Sequence, residues 1–126
     1  MYIIKRAKEV AEILDALGQK VRAGNANADE RKLYKKLKKT LGLLAENPKH
    51  RGLASHKVHG LSARYRRDIW ESYVENHTPG AMRIFWYYGP GAQEITLLQL
   101  ERHPENALPY QQVALKMKRN EADKRT

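Results

Sequence analysis

The side chains of this sequence with the greatest chemical reach are cations set beside aromatic rings. Arg64, Arg66 and Arg67 surround Tyr65 in RYRRDIW, Arg83 stands inside AMRIFWYY, and Arg102 and His103 precede a loop that ends at Tyr110. A guanidinium neutralises phosphate through a fixed fork of donors, and a neighbouring ring stacks on a base, so together they suit a nucleic-acid contact. The same pairing is common on any exposed strand end. Arg83 is the sharper case, because a permanently charged side chain among apolar neighbours must reach the sheet edge or meet an anion. Histidine is the residue type that changes charge near neutrality, which makes His103 the candidate acid or base; the alternative is that it faces solvent beside Pro104. Tyr110 either stacks on a base or packs over a sheet. His56 and His59, three residues apart on an extended segment, point to opposite faces and have no cysteine or carboxylate beside them. They are read as surface histidines, and no metal or other cofactor is expected.

The 126 residues carry 24 Lys and Arg against 14 Asp and Glu, a formal charge of +10. This excess favours a polyanion such as RNA, DNA or an acidic protein, although solvated lysine faces also serve solubility alone. With no cysteine, disulfides and thiolate metal sites are excluded, and a reducing, cytoplasmic location is expected. The opening MYIIKRAKEVAEIL interrupts its apolar residues with Lys5, Arg6, Lys8 and Glu9, so it reads as neither a secretory signal nor a membrane span.

The elements that must hold these side chains follow from periodicity, and one domain spanning residues 1–126 is expected. Ile3, Ala7, Val10, Leu14, Leu17 and Val21 alternate spacings of four and three, which predicts a helix over 1–23 starting at once. Asn27 followed by Glu30 is a capping pair, and Leu33, Leu37, Leu41 and Leu44 make the inner stripe of a second, lysine-rich helix over 29–47. Asn47 before Pro48 ends it. Residues 53–100 are predicted to form an antiparallel sheet of about four strands: Leu53 to His59, Arg64 to Glu75, Ala81 to Tyr88 and Glu94 to Leu100, with a turn at Asn76 to Gly80. Residues 111–126 form a charged tail. The class is α+β, a helical hairpin on one face of the sheet.

With ENP at Glu46 to Pro48, HKVHGL at His56 to Leu61, DIWES at Asp68 to Ser72 and MRIFWYY at Met82 to Tyr88, the chain resembles the RelE/ParE toxin superfamily over roughly residues 28–110. The resemblance implies a toxin of a type II toxin-antitoxin system, held silent by a cognate antitoxin. RelE-like members cut ribosome-bound mRNA without a metal, whereas ParE-like members inhibit DNA gyrase without cutting RNA. It further implies Arg83, Arg66 and His103 as catalytic residues, with Arg83 and Arg66 compensating phosphate charge. Tyr110, Arg102, Arg64 and Arg67 then bind substrate. Two departures stand out. Tyr2, Ile3 and Ile4 make no convincing strand where the family commonly opens with one, and Asp68 stands where some RelE-like enzymes carry a second basic residue. An inactive relative acting as a basic binding module is the remaining alternative.

Overall fold

The structure, a computed structural model, describes residues 1–75 and 81–102. It is α+β, with a mixed five-stranded sheet and three helices among the described residues. The order is β1 (Ile3–Arg6), α1 (Lys8–Arg22), α2 (Ala28–Glu46), a 3-10 turn at Arg51–Leu53, β2 (His56–Lys57), α3 (His59–Tyr65), β3 (Trp70–Tyr73), β4 (Met82–Tyr88) and β5 (Glu94–Arg102). Across the sheet the strands run β1-β5-β4-β3-β2.

The N-terminal residues are the first correction. Ile3 to Arg6 do not open the helix; they form β1 and pair in parallel with β5, Ile3 opposite Glu94 through Arg6 opposite Leu97. Helical periodicity extends through them by coincidence, and their partner lies about ninety residues away, where no local pattern can reach. The chain thus opens with a strand. α1 therefore begins at Lys8, behind Ala7, which offers no side-chain cap.

α2 starts as its sequence predicts. The Asn27 side chain accepts from the Glu30 amide at 2.8 Å, and the Glu30 carboxylate accepts from the Asn27 amide at 3.1 Å, satisfying two of the amides that a helix start leaves open. The helical hairpin packs its apolar stripe, with Val10, Leu14, Leu17, Leu37 and Leu44, against one sheet face carrying Val74, Ile84, Trp86, Ile95, Leu97 and Leu100. Burying each leucine contributes on the order of 2 kcal/mol.

In β5 a bulge opposite Phe85 and Trp86 lets Leu97 pair with Trp86 and Gln99 with Phe85, leaving Leu98 as the extra residue. The bulge inverts the alternation. Ile95 and Leu97 before it, and Leu100 after it, consequently all reach the helical core, while Leu98 joins Val58, Leu61, Ile69, Phe85 and Tyr87 on the opposite face.

The segment between α2 and β3 is the second correction. The strand expected over Leu53 to His59 shrinks to His56–Lys57, and the basic start of the expected Arg64–Glu75 strand is instead the end of α3. Arg66 closes that helix with φ 54° and ψ 35°. Val58, Leu61 and Tyr65, spaced three and four, supply about two turns of helical stripe facing the second cluster. The signal was in the sequence, but about two turns of it compete poorly with the β-favouring residues that follow.

Candidate nucleic-acid interface

α3 and its exit lay three exposed guanidinium groups, Arg64, Arg66 and Arg67, along the sheet face away from the helical hairpin. Arg67 sits over the Tyr87 ring, its guanidinium carbon 4.4 Å from the centroid, and Arg64 lies 5.9 Å from the Tyr65 ring. The left-handed backbone at Arg66 turns the chain sharply, so neighbouring cations diverge from one tight corner. Tyr87 is itself buried, so the exposed stacking surface is the guanidinium of Arg67 rather than the ring. A guanidinium plane of this kind can stack on a base and bond a phosphate.

The strand registers extend the surface. Tyr87 lies opposite Thr96, and Thr96 opposite Lys5, so a row crosses the sheet from Arg67 to the β1 edge. Lys5 bonds Glu94 at 2.7 Å and is half exposed. That bond, followed by the Gly91 amide, holds the Glu94 carboxyl below the ordinary carboxylate range despite some desolvation.

Arg83 meets the anion its sequence context demanded. Its Nη1 donates to Glu71 Oε2 at 3.0 Å, and both side chains are 2% exposed. The other Glu71 oxygen lies 3.1 Å from His56 Nε2, and His56 Nδ1 lies 3.2 Å from the Ala54 carbonyl. Arg83 also stacks 5.2 Å from the Phe85 ring. Its Nε and Nη2, and Gln99 Oε1, have no hydrogen-bond partner among the described residues. Arg83, Gln99, Glu101 and Glu71 thus form a buried polar row around Phe85, on the same face as the arginines of α3. Glu71, Gln99 and Glu101 went unnoticed in the sequence. The available signal was parity, since Glu71 alternates away from Trp70 and Ser72 and must share a face with the cation of the adjacent strand.

The expected site residues do not all meet. Arg64, Arg66 and Arg67 cluster; Arg83 is on their face but turned inward to Glu71. Arg102 lies opposite Met82, at the far end of β4 from Tyr87, and its Nη1 is 3.4 Å from Glu75, which also approaches Lys36 of α2 at 3.7 Å. His103 and Tyr110 lie outside the described residues, as do the Asn76–Gly80 turn and the charged tail. Asp68, where the resemblance expected a second basic residue, is bonded by Lys57 at 3.3 Å.

His56 and His59 come from different elements, a strand and the first position of α3, and no group of metal-binding residues occurs among the described residues. Nor is any described helix long and apolar enough to cross a membrane. Set against family models, curated proteins and solved structures, the chain matches none.

Proposed function

We propose that the protein is a toxin of the RelE/ParE kind, acting as a metal-independent endoribonuclease on ribosome-bound mRNA and gripping RNA through Arg64, Arg66 and Arg67. The observation that carries this reading is the corner at the end of α3: three exposed guanidinium groups within four residues, one seated on Tyr87, in a chain of charge +10. The strand β1 beside β5 supports it as well, because it supplies the opening element that the family commonly has.

Metal-free cleavage needs a base for the 2′-hydroxyl, an acid for the leaving oxygen and cations for the extra phosphate charge. In this reading Arg66 and its neighbours supply the cations, His103 the proton transfer and Tyr110 the base contact, while Arg83 serves the fold through Glu71. A cognate antitoxin is the expected partner in the cytoplasm. The test is purified protein added to a translating system: mRNA should be cut at the ribosomal A site, with His103→Ala and Arg66→Ala each losing cleavage. Intact mRNA would overturn the reading.

One observation favours a second reading. The cation of β4 is buried and bonded to Glu71 rather than turned toward the exposed arginines of α3. A non-catalytic module that blocks DNA gyrase, or an inactive relative that only binds, fits that arrangement. Inhibition of gyrase supercoiling with mRNA left whole would select the gyrase version, and polyanion binding without growth arrest the inactive one.

A further inference from the structure

Beyond the arginine corner, α2 carries a second cationic surface on the other side of the molecule. Lys32, Lys35, Lys36 and Lys39 recur at spacings of three and four, all exposed, opposite the buried Leu37. Among the described residues only Lys36 approaches a carboxylate, Glu75 at 3.7 Å. Lys36 and Lys39 also line a cleft of about 210 Å³ with Leu43, Gly52 and Tyr73. The hairpin packs on one face of the sheet and the arginines of α3 lie with the cluster on the other, so the two cationic groups belong to different elements on opposite sheet faces.

From this arrangement we propose that α2 binds the phosphate backbone of duplex RNA, and that the protein can hold a duplex there while a single strand occupies the arginine corner. Two physical features choose a duplex backbone over an acidic protein. From Lys32 to Lys39 every exposed residue is a lysine, with Leu33 and Tyr34 half-buried and Leu37 buried, whereas protein interfaces bury an apolar centre from which lysine is depleted. Lysines act on phosphate as point charges and need no shaped pocket. The straight stripe is also rigid, and Lys32 to Lys39 spans about 10 Å of helix axis, on the order of three phosphates along one strand of a duplex. The α3 corner differs in both respects, being sharply turned and aromatic, which suits unpaired bases. The single-strand half rests on the RNA reading of the arginine corner; the duplex half stands without it.

The experiment uses the full chain, a blunt RNA duplex and an unstructured single-stranded RNA, each labelled with a different fluorophore, over a range of salt. Lys32→Gln/Lys35→Gln/Lys39→Gln should weaken duplex binding by about tenfold or more and flatten its log–log salt slope by about 2–3, with single-strand binding unchanged. Arg64→Gln/Arg66→Gln/Arg67→Gln should do the reverse. Wild-type protein should bring both labels into one complex, and neither variant should. Wild-type duplex affinity and slope in the lysine variant would overturn the proposal. So would equal losses on both probes in both variants, which mean one continuous surface, or capture of an acidic peptide in place of the duplex. No cleavage or toxicity is read, so failure of the toxin reading leaves this test interpretable.

Discussion

If Arg83 belongs to the fold, replacing it together with its partner should be harmless where replacing either alone is not. Glu71 and Arg83 are both 2% exposed and meet through one 3.0 Å bond. Glu71→Gln leaves a buried guanidinium uncompensated and should cost about 3–5 kcal/mol. Arg83→Met leaves the carboxylate, but His56 Nε2 remains 3.1 Å away and reaches solvent, so the loss should be nearer that of one charge-assisted bond, about 1.5–3 kcal/mol. The double variant Glu71→Leu/Arg83→Met removes both desolvated charges. It also removes the two guanidinium nitrogens that lack partners among the described residues, each an unmet buried donor worth about 1–3 kcal/mol. The double variant should therefore fall between wild type and about 1–4 kcal/mol above it. Urea unfolding of the four proteins gives the coupling directly. A double variant that loses the sum of the single losses would refute the pairing argument.

Other consequences can be checked separately. Ser72 is fully buried, with its hydroxyl 2.8 Å from Trp86 Nε1 and 2.7 Å from Ser55 Oγ. Ser72→Ala should cost about 1–3 kcal/mol by stranding the indole N–H, measured by thermal or urea unfolding; Ser72→Thr is the control for the hydroxyl. The Glu30 carboxyl is held below its ordinary value first by the Lys20 hydrogen bond and then by the Asn27 amide. A depressed folded-state value means that the native state binds fewer protons, so this contribution is present above the unfolded carboxyl range and fades as pH falls through the folded one. Wild type should thus exceed Glu30→Gln in stability at neutral pH and converge with it in acid, and a constant gap would refute the linkage. Arg67→Ala should cost about 0.5–1 kcal/mol through the lost ring contact, while single-strand RNA affinity falls several-fold. Unchanged affinity, read by fluorescence anisotropy, would remove Arg67 from the interface.

What the sequence alone determined is local. The Asn27–Glu30 cap, the leucine stripe of α2, the alternation of Met82 to Tyr88 and the demand of Arg83 for an anion all depend on neighbours within a few residues, where spacing is a sufficient guide. Tertiary structure decided three other things. It drew Ile3 to Arg6 out of a helical pattern into a parallel pair with β5, because backbone hydrogen bonds to a distant strand outweigh continued periodicity. It put Arg64 and Tyr65 at the end of α3, about two turns long, where the apolar contacts of Leu61 and Tyr65 with the sheet override the strand-like composition around them. And it chose the anion: Glu71 is twelve positions from Arg83 and becomes its neighbour only through the antiparallel register of β3 and β4. That choice buried the lone cation of β4 against a carboxylate and left Arg64, Arg66 and Arg67 as the exposed cations on that face.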